Sequence, residues 1–306
     1  MVHTQSEQRH PFASLLLLLL LALIGAVVFT GLSLLIGYLL YKPASIQNLM
    51  DGSVDIAFQK LLLALTSIGM FIVPAFAFAI IENKKGPAYL QLNKPNTLFS
   101  IPLAILIMFC AAPLIEWTVL INEKMQLPGF LQEMERWMRQ KEDELAELTK
   151  SLLVMKNIPA LLLNLLVIAV IPALGEELTF RGCVQQTLTR WFKSYHLGIW
   201  IAAIAFSAIH IQFYGFIPRM CMGALFGYML VWSKSIWVPI VAHFYNNASA
   251  VIMAYVFQKQ GKSLDTLTDP QSFKWQEVIL SIIFTSLLLW TLRKLSFNKL
   301  IKPTHE

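Results

Sequence analysis

Eight long apolar runs alternate with short polar connections along the chain, at residues 12–41, 61–81, 98–121, 158–181, 198–213, 214–231, 236–257 and 276–292. A helix needs about 20 predominantly apolar residues to cross the hydrocarbon core of a bilayer. Open sheets cannot sit in lipid, where no water satisfies an exposed backbone group. The pattern therefore predicts an all-α, polytopic membrane helix bundle of about eight transmembrane helices. The run at 12–41 holds seven consecutive leucines and is about twice the length of a signal-peptide core. It reads as a retained first span.

One segment breaks the pattern. Between Glu123 and Lys156 lie seven acidic and six basic residues, and Phe130, Met134, Trp137, Leu145, Leu148 and Leu152 recur at three- and four-residue spacing, with one polar gap at Lys141. This is the signature of an amphipathic surface helix. It predicts a solvated connector resting on the membrane, or a lid beside the functional centre. The chain divides accordingly into an N-terminal three-span region (1–122), the amphipathic connector (123–157), a denser helical core (158–257), and a last span with a basic tail (258–306).

Composition agrees with the pattern. Of 306 residues 57% are hydrophobic and only 14% charged, with a mean hydropathy of +0.61; soluble domains carry about 25% charged residues. The net charge of +6 is spread over loops and the C-terminal tail, which argues against a nucleic-acid surface and makes it topology information. Lys84, Lys85 and Lys94, Arg190 and Lys193, and Arg293, Lys294, Lys299 and Lys302 fall on the N-terminal side of an eight-span arrangement. The positive-inside rule then makes both termini cytoplasmic. Cys110, Cys183 and Cys221 are odd in number and lack metal-ligand spacing, as expected of buried free thiols.

The expensive feature is Glu176-Glu177-x-x-x-Arg181, at the end of the fourth run. A carboxylate at mid-membrane costs roughly 2.5–3.5 kcal/mol on insertion scales. Glu177 and Arg181 share a helical face and neutralise each other. Glu176, rotated by about 100°, must look elsewhere. Its candidate partners are His210, four residues after Phe206, and His243, with Asn247 four residues later on the same face. Glu176, His210 and His243 would make a catalytic zinc set, two histidines and a carboxylate with a position left for water. The same groups could also act without metal, Glu176 and His210 activating water while His243 and Asn247 donate to the oxyanion. Glu116, inside the third run, is a further intramembrane carboxylate for which an interfacial or structural role is expected.

Glu176-Glu177-x-x-x-Arg181, Phe206-x-x-x-His210 and His243-x-x-x-Asn247, in that order, resemble the three motifs of the CPBP intramembrane proteases. That family includes the type II CAAX prenyl endopeptidases and the bacteriocin-immunity (Abi) proteins. The resemblance covers about residues 155–257. It implies hydrolysis of a peptide bond in a membrane-associated protein or peptide, lipid-modified and CAAX-like in some members. Glu176, His210, His243 and Asn247 would be catalytic, Glu177, Arg181 and Phe206 would support them, and zinc or another divalent metal is an open cofactor. A bacterial plasma-membrane location is expected. Two alternatives compete: a non-enzymatic immunity or scaffold protein that keeps the motifs for packing, and a proton-coupled transporter. The transporter lacks the repeat symmetry common in such proteins.

Overall fold

The computed structural model describes residues 9–41, 55–82, 86–97, 99–265 and 273–301, and among them the chain is helical. Apart from a single turn at Gly86–Tyr89, the helices are α1 (Pro11–Tyr41), α2 (Ile56–Glu82), α3 (Ser100–Glu123), α4 (Gln132–Leu152), α5 (Ile158–Phe192), α6 (Tyr195–Ala208), α7 (Phe216–Ser233), α8 (Trp237–Lys259) and α9 (Trp275–Ile301). The polytopic helical bundle is as the apolar pattern predicts. Lys84, Lys85 and Lys302 of the charge count lie outside the described residues.

Seven of these helices are long and apolar enough to cross a membrane; the expected eighth span is not among them. It corresponds to α6, which has 14 residues. At 1.5 Å per residue it reaches about 21 Å, short of the roughly 30 Å core. The even number of crossings that put both termini on one side thus loses a member. The fourth span exceeds its expected end at residue 181, running on to Phe192 for 35 residues in all. Lys193, in the left-handed conformation, ends it.

Outer helices leave apolar side chains exposed on their outward faces. On α1, Leu19, Leu20, Val27, Val28 and Leu39 are exposed, while Ser14, Leu18 and Ser33 are buried. Its approach to α2 depends on small residues: a Cβ at Gly25 would overlap the carbonyl of Gly69. Without a hydrophobic drive between helices in lipid, such backbone proximity is how dispersion contacts accumulate. An inner core of Ala104, Ile107, Met108, Phe226, Met229, Val238, Ala242 and Leu292 joins α3, α7, α8 and α9.

The amphipathic segment forms α4, with Leu152 its buried residue. Phe130 before it and Met134, Trp137 and Leu148 on it stay exposed. Its ion pairs, such as Arg139 with Glu135 at 2.8 Å and Lys141 with Glu144 at 2.6 Å, are largely solvated. Pairs of this kind contribute a few tenths of a kcal/mol, roughly. Tertiary contacts therefore decide where α4 sits, and they lie beside the motif residues.

Candidate active site

The motif helix α5 is built with local irregularities. Asn157 caps its start, its side chain accepting from the Ala160 N–H at 2.9 Å, with Pro159 in the first turn. Two wider π-helical turns follow, at Leu165–Val170 and Leu178–Val184, flanking the regular stretch that ends in Glu176 and Glu177. Such turns recur at functional sites because they rotate the following side chains out of the ordinary register. Pro172 lies between them and has no N–H to offer the preceding turn. A donor arrives from another helix: Asn247 Nδ2 on α8 donates to the Ile168 carbonyl at 3.2 Å.

Glu177 and Arg181 form the pair expected of their spacing, at 2.9 Å and with side chains essentially inaccessible. Arg181 also donates to the Gly223 carbonyl on α7 at 3.2 Å, and its guanidinium carbon lies 4.4 Å from the centre of the Phe206 ring. Gly223 makes room for this contact, since a Cβ there would press on Ala203 and on Arg181 Nη2. Burying a charge is tolerable only with such close compensation. Phe206 also stands edge-on to His210, at 5.1 Å between ring centroids. It thus links the second motif to the first.

His243 is where the structure departs from a simple division between the two glutamates. Its Nδ1 lies 2.8 Å from Glu177 Oε1, and its Nε2 lies 3.8 Å from Glu176 Oε2. Phe226 stacks on the ring at 5.3 Å between centroids. Glu177 is therefore more than the partner of Arg181. It accepts from His243 Nδ1–H and so fixes which nitrogen points at Glu176. The 3.8 Å separation on the Nε2 side is too long for a direct hydrogen bond.

His210 lies at the end of its apolar helix. It follows the end of α6, in a turn where Ile211 takes a φ of 54°. Left-handed backbone at a β-branched residue is strained, by about 1–3 kcal/mol, and such strain gathers at functional sites. His210 Nδ1 donates to the Phe206 carbonyl at 2.8 Å, which leaves Nε2 as the nitrogen able to take a proton. No direct hydrogen bond or ion pair joins His210 to Glu176 among the described residues. Asn247, beyond its bond to Ile168, accepts from Asn246 Nδ2 at 3.2 Å.

Among the described residues no three His, Cys, Asp or Glu side chains are gathered closely enough to hold a metal ion. The zinc set expected of Glu176, His210 and His243 is not assembled in this arrangement. Cys110, Cys183 and Cys221 are free thiols.

One group escaped the sequence reading. Arg219, on the first turn of α7, is close enough to Glu176 for their charges to interact. Its position seven residues before Phe226 and four before Gly223 was the available signal. The amphipathic helix α4 lies against the turn that follows His210. Glu142 Oε2 accepts the Tyr214 N–H at 3.3 Å, the Tyr214 hydroxyl donates to Glu135 at 3.4 Å, and the Arg139 guanidinium sits 4.3 Å from the Tyr214 ring centre. Glu116 lines a separate cavity of about 570 Å³ with Tyr245, Asn246, Ser249 and Glu277. Tyr245 and Ser249 are turned away from His243 and Asn247.

Residues 158–249 match the sequence model of the type II CAAX prenyl endopeptidase Rce1-like family. Over that stretch the chain is similar to the Rce1-like family. The stretch runs from the start of α5 into α8 and contains every motif residue described above. Among curated proteins, the chain is 30% identical over 101 residues to the uncharacterized protein YpbD of Bacillus subtilis (strain 168), covering 32% of this chain and 47% of that one. It is 29% identical over 96 residues to a second protein of that organism, named "Putative membrane peptidase YdiL", covering 31% and 39% respectively. The chain thus spans less than half the length of each of these relatives. No solved structure matches it.

Proposed function

We propose that the protein is an intramembrane endopeptidase that hydrolyses a peptide bond in a membrane-associated substrate, with Glu176 and His210 activating the attacking water. The observation that carries this reading is the asymmetry around His243: Glu177 Oε1 is held by both Arg181 and His243, whereas Glu176 faces His243 Nε2 across 3.8 Å without a fixed hydrogen bond. One water bridges a spacing of that order. Within the membrane such a carboxylate is retained for a function.

In the proposed reaction the water proton passes to Glu176 or to His210 Nε2, and the water oxygen adds to the scissile carbonyl. The resulting oxyanion is met by the second amide hydrogen of Asn247 Nδ2 and by Nε2–H of His243 in its imidazolium form. Collapse breaks the C–N bond, the held proton goes to the leaving amine, and the products are a new carboxylate and a new amine. Glu177 and Arg181 position this apparatus. The substrate class reaches the chain through the family resemblance: a peptide on or in the bilayer, with prenylated C-terminal segments among the candidates, in a bacterial plasma membrane. Zinc or another divalent ion remains a proposal, best tested by metal analysis of the purified protein.

The reading is tested with purified protein in lipid nanodiscs and a membrane-tethered peptide library in ¹⁸O-water. Hydrolysis places one ¹⁸O in the new carboxylate, and mass spectrometry then locates the cut. Cleavage by wild type, lost in Glu176→Gln, is the expected result. Full cleavage by Glu176→Gln would remove Glu176 from the chemistry, and pH-gradient-driven uptake into liposomes with no cleavage would favour the transporter.

A further inference from the structure

Arg219 and Arg181 stand in the same neighbourhood with different employment. Arg219, Gly223 and Phe226 are spaced by four and three residues, so they share one stripe of α7. Gly223 receives Arg181 and Phe226 stacks on His243, which shows that this stripe faces the site. Arg219 extends it by one turn towards the start of α7. Its charge is felt by Glu176, by His210 and by Glu142 of α4.

The guanidinium is only partly satisfied. Nη2 donates to Gln212 Oε1 at 2.6 Å, whereas Nη1 is buried without a hydrogen-bond partner. No contact ion pair joins Arg219 to a carboxylate among the described residues. A buried donor left unmade costs about 1–3 kcal/mol, and more when charged. The guanidinium fork suits two parallel bonds to one carboxylate. The nearby resident carboxylate is Glu142, which binds the Tyr214 N–H and interacts with Arg219 from beyond contact distance.

We infer that Arg219 binds a carboxylate carried by the substrate close to the cleaved bond, and that Glu142 on α4, whose charge reaches Arg219 without contact, is the resident carboxylate that opposes it. The proposal rests on the peptidase reading and adds a substrate requirement to it. The ligand is a peptide with a free carboxylate, supplied by its C-terminus or by an Asp or Glu side chain. Binding would complete the fork of Arg219.

The test uses the full-length Glu176→Gln protein in nanodiscs and acyl-tethered fluorescent peptides in matched forms: free C-terminal acid, C-terminal amide, and each with Asp or Asn beside the candidate cleavage site. Binding is read by Förster transfer from labelled protein. Acid forms are expected to bind about tenfold tighter than their neutral partners, as charge-assisted paired bonds allow. The acid–amide and Asp–Asn pairs show which carboxylate is used. Adding Arg219→Gln should erase the preference, Arg219→Lys should keep part of it, and Glu142→Gln should widen it a few-fold. Equal binding of acid and neutral forms, or a preference that survives Arg219→Gln in a protein with normal thermal unfolding, overturns the proposal. If Arg219→Gln does not fold, the Arg219→Lys and Glu142→Gln arms decide. In the otherwise wild-type enzyme, Arg219→Gln should raise KM for acid peptides while sparing kcat. A kcat loss indifferent to substrate charge would make Arg219 an oxyanion donor and overturn the proposal. If Glu176→Gln binds acids selectively but wild type cleaves nothing, the peptidase reading fails and the carboxylate site stands. If wild type cleaves acid and neutral forms alike, the peptidase reading stands and the carboxylate site fails.

Discussion

On one side of His243 lie Glu177 and Arg181; on the other lie Glu176, His210 and Arg219. The first side is closed: Arg181 meets a carboxylate, a carbonyl and an aromatic face, and Glu177 Oε1 accepts from both Arg181 and His243. The second side is loose, with a 3.8 Å separation at Glu176, a strained turn after His210 and an orphaned nitrogen on Arg219. The difference teaches how a polytopic helix bundle keeps charge inside apolar helices. Charges that hold structure are paired with one another through Arg181, Glu177 Oε1 and His243, and that block positions others that are less closely partnered.

Substitutions should break the two sides in different ways. Arg181→Ala leaves Glu177 buried and uncompensated, a loss of about 3–5 kcal/mol. Thermal unfolding in detergent and expression level should both fall sharply, and near-normal stability would mean the closed side does not hold the fold. Asn247→Ala should cost about 10²–10³ in kcat, as removal of one oxyanion donor does elsewhere, with a modest loss of stability through Ile168. A pure KM effect in peptide kinetics would contradict that role. Ile211→Gly removes the strained residue beside His210. The fold should gain up to about 1 kcal/mol while activity falls several-fold, because relaxed backbone no longer fixes the imidazole; a gain in both would sever strain from function.

The smallest effect concerns α4. Burial of Glu142 raises its pKa above the ordinary carboxylate value, with the Tyr214 N–H and the charge of Arg219 opposing the rise and Asp143 adding to it. A raised carboxyl pKa favours the protonated folded form, so docking of α4 should strengthen as pH falls from neutral through that raised value. Glu135 moves the other way: its bonds from Arg139 and the Leu127 N–H lower its pKa, and its contribution is lost only below the ordinary range. Hydrogen exchange at 132–152, corrected for intrinsic rates, should slow modestly on mild acidification in wild type and become pH-independent in Glu142→Gln. Unchanged pH dependence in the variant would exclude Glu142 as the titrating group.

Much of this is legible in the chain. Apolar length predicts the helical bundle, and the four-residue spacing predicts the Glu177–Arg181 pair, because both depend on local periodicity. The count of eight spans fails because α6 and the turn after it are both apolar, so composition alone hides where the helix stops at Ala208. His243 bridging both glutamates, Asn247 bonding the turn before Pro172, and α4 covering Tyr214 are contacts between distant segments. No spacing in the sequence encodes them. Pro172 is a usable clue, since a helix that withdraws a donor invites a replacement.

The central claim is that Glu176 and Glu177, adjacent in sequence, do separate jobs. The most direct measurement compares Glu176→Gln and Glu177→Gln for both peptide-cleavage rate and Tm in the same nanodiscs. The account predicts that Glu176→Gln loses about 10²-fold or more in rate at unchanged Tm, and that Glu177→Gln lowers Tm by several degrees as His243 and Arg181 lose their shared partner. Equal loss of stability in both variants, or full activity in Glu176→Gln, would contradict it.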